Sequence, residues 1–146
     1  MACATCINNC CQRWCVDTLV CALDCCGCCH IPILMGLNQS WHSGQIIAQK
    51  DTDMRFYEFD PFASDGTQVP TGLAMHTVDS DENGNAISRY YTGLVPAADC
   101  GQPYTNMYIC GVFYTQYLRG DVAAARAAGL LRRLEGNDSN GYVKLT

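Results

Sequence analysis

Short β-type runs recur from residue 45 to the end of this chain, and they constrain the fold more than any other feature of the sequence. Turn-forming residues separate each run from the next. Such regular spacing predicts a compact β-rich domain rather than alternating strands and helices. The predicted strands are Gln45–Gln49, Met54–Phe59, Leu73–Val78, Ala86–Tyr91, Met107–Tyr117 and Tyr142–Leu145.

One helix is predicted in this half of the chain, over Ala123–Leu134. Alanine favours helix, and Asp121 can cap the start. Arg132 and Arg133 suit the negative end of the helix dipole. The predicted fold class is therefore mainly β, a small β-rich domain with one short C-terminal helix.

The segment Phe59–Ala74 (FDPFASDGTQVPTGLA) lies between two of the predicted strands. Pro61 presets φ, Ser64 and Asp65 can bond their own backbone, and Gly66 accepts positive φ. These residues predict a tight reversal between the two strands. An ordinary β-turn in any small β domain would have the same composition.

The order of residues in Phe59–Ala74 resembles that of the head decoration (capsid cement) proteins of tailed bacteriophages. It contains an aromatic-Asp-Pro, then Ala-x-Asp-Gly-x-Gln-Val, then a Gly-Leu pair that begins two residues after Pro70. The segments SGQIIAQK, TVDSDENGNAISRYYTGLV and AAARAAGLL are similar to an opening strand, an acidic loop with its strand and a closing helix of that family. The resemblance covers Ser43–Leu134.

The resemblance implies a structural virion protein that binds the major capsid protein on the outer surface of an icosahedral head. It would act as a homotrimer at threefold and quasi-threefold positions. In that family the segment before the domain extends onto the capsid protein, often by adding a strand. Here the extended run His30–Leu37 suits this role, because its backbone can form a ladder of hydrogen bonds with a strand of the partner and its side chains can fill pockets. The candidate capsid-binding residues are Ile31, Pro32, Ile33, Leu34 and Trp41.

We place a domain boundary in the polar stretch Asn38–Ser43, so that residues 1–42 form a Cys-rich N-terminal arm and residues 43–146 form the β-rich domain. A short helix is plausible over Gln12–Cys26 of the arm, where apolar side chains recur at helical spacing. Trp14 and Trp41 either pack within the protein or anchor a partner, since tryptophan is enriched at interface centres.

Cysteine is concentrated in the arm, which carries ten of the twelve. Two CxxC pairs, Cys3 with Cys6 and Cys25 with Cys28, have the spacing of a ribbon-type zinc site. Reduced thiols packed as small hydrophobes are another state. Vicinal cysteines and an oxidising virion surface favour disulfides. The disulfide candidates are Cys3, Cys6, Cys10, Cys11, Cys15, Cys21, Cys25, Cys26, Cys28, Cys29, Cys100 and Cys110.

Two further patterns involve cysteines or acids in the domain. Cys100 and Cys110 bracket a short loop and either bridge each other or stay buried free thiols. The run Asp79–Gly84 reproduces the first half of a calcium loop, but Tyr90 stands where a bidentate glutamate is required. An exposed acidic turn between two strands is therefore favoured over a calcium site.

Charge and motifs argue against several classes of function. The net charge is −5, and eight of the fourteen acids lie in Asp51–Glu82, so nucleic acid is a poor candidate partner. Asp17 and Asp24 interrupt the apolar N-terminal run, which argues against a signal peptide and a membrane span. No enzyme motif surrounds the three histidines. We expect no enzyme activity and no cofactor, with a zinc-binding regulatory or adaptor protein as the alternative function.

Overall fold

The computed structural model describes residues 29–88, 103–133 and 141–145, and these residues form three antiparallel sheets with one short α-helix. The predicted fold class, mainly β, is confirmed. The predicted helix over Gln12–Cys26 lies outside the described residues. The elements are β1 His30–Ile33, β2 Ser40–Trp41, β3 Ile46–Gln49, β4 Phe56–Glu58, β5 Gly72–Ala74, β6 Val78–Ser80, β7 Ala86–Ser88, β8 Thr105–Tyr108, β9 Gly111–Tyr114, a 3-10 turn Thr115–Tyr117, α1 Val122–Ala127, β10 Leu131–Arg133 and β11 Tyr142–Leu145.

The central sheet has five strands in the order β1-β8-β5-β3-β4, and its inner strands β3 and β5 are buried on both faces. Because successive side chains point to opposite faces of a strand, neighbouring residues enter different cores. Ile46 and Leu73 belong to one cluster of buried residues, whereas Ile47 and Ala74 belong to the other. This pattern explains why β5 and the first three residues of β3 are apolar rather than alternating.

Each of the two smaller sheets completes one of these cores. The sheet β10-β11-β9 contributes Phe113 and Val143 to the first cluster, and both side chains are fully buried. The sheet β2-β6-β7 contributes Trp41 and Val78 to the second cluster. The central sheet therefore gives one face to each of two hydrophobic cores.

The strands β1 and β2 lie before the predicted boundary after residue 42, yet they pair with strands that follow it. β1 pairs with β8, and β2 pairs with β6. Directly after β1, Met35 forms a parallel bridge with Phe56, the first residue of β4. The Phe56 N–H donates to the Leu34 carbonyl at 3.0 Å, and the Gly36 N–H donates to the Phe56 carbonyl at 2.7 Å. The residues that follow β1 are thus joined to β4, the last strand of the central sheet.

The predicted tight reversal over Phe59–Ala74 is wrong. β4 precedes the segment and β5 forms its last three residues, and these two strands do not pair with each other, because both pair with β3, which lies between them. Residues 59–71 therefore form a long loop that connects β4 to β5. The predicted strand Met107–Tyr117 is likewise divided into β8, β9 and the 3-10 turn.

The helix α1 is shorter than predicted. Asp121 caps it as expected, since its Oδ1 accepts the Ala124 N–H at 2.9 Å. The helix ends at Ala127, and Gly129 follows with a φ of 89°. Arg132 and Arg133 lie in β10 rather than at the helix end. Within the described part of the chain, no helix has the length and apolarity to cross a bilayer.

Candidate functional site

The loop between β4 and β5 is shaped by its own carboxylates. Asp60 Oδ1 accepts the Phe62 N–H at 3.0 Å. Asp65 Oδ1 accepts the backbone N–H of Thr67 at 3.1 Å and its hydroxyl at 2.5 Å. Gly66 adopts a φ of 104°, which favours glycine. The turn residues of the sequence motif therefore make the local bonds for which their types are suited.

The loop is also closed and docked by backbone bonds. The Asp60 N–H donates to the Thr67 carbonyl at 3.0 Å, which joins the two ends of the turn. The Asp51 N–H donates to the Asp65 carbonyl at 2.7 Å, and Lys50 Nζ lies 4.0 Å from Asp65 Oδ2. These contacts fix the loop against the turn between β3 and β4.

The Thr67 hydroxyl, followed by the Thr67 backbone N–H, holds the pKa of Asp65 below its ordinary value of 3.8. Both bonds stabilise the charged form of the carboxyl. Asp65 is therefore ionised at neutral pH and keeps its role as a double acceptor.

Gly72 in the Gly-Leu pair of the motif is required by a close approach between strands. A Cβ at position 72 would lie 2.5 Å from the Tyr108 carbonyl oxygen and 2.6 Å from Met107 Cγ. The next residue, Leu73, is fully buried in the first core. At the Gly-Leu pair, the close approach of β8 requires a residue without a side chain at position 72, and the core takes the side chain of Leu73.

A groove of about 390 Å³ lies beside the loop. Its lining residues include three acids, Glu58, Asp60 and Asp65, and one base, Lys50. The excess of carboxylates suits cationic groups better than phosphates.

Lys50 and Tyr57 form one wall of this groove. The Lys50 Nζ lies 4.4 Å from the centre of the Tyr57 ring, and the Tyr57 hydroxyl donates to Asp53 Oδ2 at 2.6 Å. Burial and then the hydrogen bond to Asp53 raise the pKa of Tyr57. Burial acts to raise the pKa of Asp53, but the bonds from Tyr57 and Arg55 and the nearby cations together hold it below its ordinary value.

The candidate capsid-binding residues divide into two groups. Ile31 and Leu34 keep 39% and 37% of their surface exposed, and Pro32 is also exposed. Ile33 and Trp41 are buried in the second core, at 5% and 0% exposure. Only the first group is accessible to a partner in this structure. Of the two alternatives for Trp41, packing within the protein is the one observed.

The backbone ladder of β1 is directed to the chain's own β8. The Ile109 N–H donates to the Cys29 carbonyl at 2.9 Å, and the register pairs Ile31 with Met107. Since hydrogen-bonded pairs alternate in an antiparallel ladder, the backbone groups of Ile31 point toward β8 and those of Pro32 point away. Proline has no N–H, so the outer edge of β1 lacks a donor at that position.

Cys29 and Cys110 form a disulfide, with Cα atoms 5.1 Å apart and a sequence separation of 81. Neither alternative for Cys110, a bridge to Cys100 or a buried free thiol, anticipates this pairing. Cys100 and the nine cysteines before Cys29, including the candidate zinc ligands Cys3, Cys6, Cys25 and Cys28, lie outside the described residues.

The half calcium loop is an acidic turn between β6 and β7, as the sequence favours. Asp81 Oδ1 accepts the N–H groups of Asn83 and Asn85, each at 2.9 Å. Asp79 Oδ1 accepts the Ser40 hydroxyl at 2.6 Å. Across residues 29–88, 103–133 and 141–145, no three His, Cys, Asp or Glu side chains converge in a way that could hold a metal ion.

Sequence reasoning missed two exposed apolar side chains on the loop between β4 and β5. Phe62 is 93% exposed and Val69 is 61% exposed. The signal for Phe62 was its position directly after Pro61, in a turn whose backbone N–H groups bond the carboxylates of Asp60 and Asp65. His76, in contrast, is 2% exposed, and its Nε2 lies 3.2 Å from Asn106 Nδ2.

Comparison of the chain with known protein families, with curated proteins and with solved structures finds no match. The residues and their geometry alone therefore bear on its function.

Proposed function

We propose that this protein is a structural virion protein that decorates the outer surface of a tailed-phage head by binding the major capsid protein. The observation that carries this proposal is the Phe59–Ala74 motif, which is similar to that of head decoration proteins. In this chain Asp65 and Gly66 shape the loop, and Gly72 permits the contact between β5 and β8. The motif thus consists of residues on which a particular β scaffold depends.

The surface of the protein is consistent with a protein partner. Ile31 and Leu34 flank the end of β1, and Phe62 projects from the loop, so large apolar side chains are available for contact. The chain carries a net charge of −5, which disfavours the packaged DNA as the ligand.

The expected assembly is a homotrimer at threefold and quasi-threefold positions between capsomers. The three copies in one trimer would bind the shell simultaneously, so that a modest affinity for each contact gives durable attachment. In this arrangement the apolar side chains around β1 contact the capsid protein while β1 remains in its own sheet.

The test uses heads that lack the decoration protein, from the phage that encodes this chain. We expect the purified full chain to be a trimer by light scattering, to sediment with the heads, and to form outer-surface trimers in electron cryomicroscopy. The double variant Ile31→Ser, Leu34→Ser should bind about tenfold more weakly, as for the loss of two interface side chains.

The matched control is Tyr117→Ser, because Tyr117 is 42% exposed in the 3-10 turn after β9, outside the sheet that contains β1. It should bind as the wild type does. A full chain that stays monomeric and does not associate with such heads would refute the proposed function.

A further inference from the structure

We propose that the Cys29–Cys110 disulfide is a reducible latch that fixes β1 to the central sheet, and that a low-molecular-weight thiol opens it. This inference concerns the protein itself and does not rest on the proposed function. Opening the latch would release residues 29–32 while the rest of the fold stays intact.

The disulfide lies at the start of β1, where it can hold this strand against β8. Cys29 directly precedes β1, and Cys110 lies in the short link between β8 and β9. His30 pairs with Tyr108 in the antiparallel register, so the bond joins the start of β1 to the end of its partner strand. The nearest backbone bond, from the Ile109 N–H to the Cys29 carbonyl, is at the same place.

Apart from this bond, little in the described structure holds the first part of β1. His30, Ile31 and Pro32 are all exposed, so their side chains gain little from burial. β1 is four residues long and lies at the edge of the sheet, with β8 as its one paired strand among the described residues. Short exposed edge segments are the parts of a protein that open locally.

The chain beyond β1 has anchors of its own. Ile33 is 5% exposed and Met35 is fully buried, both in the second core. Arg55 Nη1 donates to the Met35 carbonyl at 2.9 Å, and Met35 bridges to Phe56. Local opening should therefore stop at Ile33 and leave both cores in place.

The sulfur atoms are within reach of a small thiol, because Cys29 is exposed and Cys110 is half-buried. A thiolate attacks one sulfur, which forms a mixed disulfide and releases the other cysteine as a thiolate that takes up a proton. A second thiolate attacks the mixed disulfide, which releases the second cysteine and the oxidised thiol. The protein gains two electrons and two protons, and two thiols become one disulfide.

The experiment measures amide hydrogen exchange in the full oxidised chain, in Cys110→Ser and in the matched control Cys100→Ser. Mass spectrometry of an unreduced digest first identifies the peptide joined through Cys29 and Cys110. In Cys110→Ser we expect the Ile31 amide to exchange at least about tenfold faster, as for local opening, while the Val143 amide in β11 keeps its rate. Cys100→Ser should match the wild type at both positions.

Dithiothreitol provides the second arm, because it acts on the unmodified chain. It should accelerate exchange at Ile31 in the wild type to the rate of Cys110→Ser, and it should have no further effect at Ile31 in that variant. An unchanged Ile31 rate in Cys110→Ser, an equal acceleration at Val143, or a digest without the joined peptide would each overturn the proposal.

Discussion

Gly72 and Tyr108 approach so closely that a Cβ at position 72 would lie 2.5 Å from the Tyr108 carbonyl oxygen. The neighbouring atom belongs to the backbone of β8, in the middle of the central sheet, and cannot move aside without disturbing the pairing of β5 with β8. The motif that suggests a family is thus part of the protein's central packing.

Gly72→Ala should lower the free energy of unfolding by about 1–3 kcal/mol, the usual cost of overpacking a dense interior. Gly72→Asn should cost more, because its side chain is larger. Gly141 is the control, since it has a φ of 86° and a Cβ there would meet no atom within 4 Å. At position 141 Asn should be tolerated better than Ala, because asparagine accepts left-handed backbone. Urea denaturation of the four variants measures these losses of stability. If space were not limiting at position 72, Gly72→Asn would be more stable than Gly72→Ala, as Asn is expected to be at position 141.

Thr67→Val should raise the pKa of Asp65 toward its ordinary value, because the Thr67 hydroxyl is the largest cause of the lowered pKa. The pKa is measured by NMR titration of the side-chain carboxyl carbon. Thr71→Val is the control, since the Thr71 hydroxyl bonds the Val69 carbonyl rather than Asp65. Equal Asp65 pKa values in the wild type and Thr67→Val would contradict the assignment.

The lowered pKa of Asp65 also fixes a pH dependence of stability. A carboxyl with a lowered folded-state pKa contributes stability that is present above its unfolded-state value, near 3.8, and is lost as the pH falls through the folded value. The free energy of unfolding of the wild type should therefore fall on acidification below about pH 4. This fall should be smaller in Thr67→Val than in Thr71→Val, as measured by urea denaturation from pH 2 to pH 6.

Asp121→Ala should destabilise the protein by about 1 kcal/mol, because the Ala124 N–H at the start of α1 loses its acceptor. Asp121→Asn keeps a side-chain oxygen in that place and should retain most of the stability. Thermal unfolding of the two variants side by side tests the cap. Equal losses in both would mean that charge rather than hydrogen bonding matters there.

Trp41→Ala should lower the free energy of unfolding by about 3–5 kcal/mol, since it removes a fully buried side chain from the second core. Leu37→Ala, at a position 39% exposed, should change stability by no more than about 0.5 kcal/mol. A Trp41→Ala protein as stable as Leu37→Ala would show that Trp41 does not pack in the core.

Local sequence patterns identified the strands and the helix cap that are determined by residues close together in the chain. The predicted strand Tyr142–Leu145 coincides with β11, and Gln45–Gln49 differs from β3 by one residue. Asp121 was recognisable as a cap because a cap acts within one helical turn. Alanine content, however, extended the predicted helix past Gly129, where the positive φ ends it and the chain enters β10.

Elements whose partners are distant in sequence could not be predicted. The short β2 lay in a predicted linker, because its pairing with β6 leaves no periodicity in two residues. A tight reversal was predicted over Phe59–Ala74 because nothing in its residues shows that β3 separates β4 from β5. The partner of Cys110 was hidden for the same reason, since the two cysteines have a sequence separation of 81.

The bridge between Met35 and Phe56 gives the central sheet a continuous circuit of neighbours, from β1 through β8, β5 and β3 to β4 and back to the residues after β1. Withdrawing β8, β5 or β3 would cost two neighbouring strands a partner, whereas the residues before Ile33 can separate from β8 without breaking the bridge at Met35. The strands β3, β5 and β8 should therefore lose their order together on heating, in a single sharp transition.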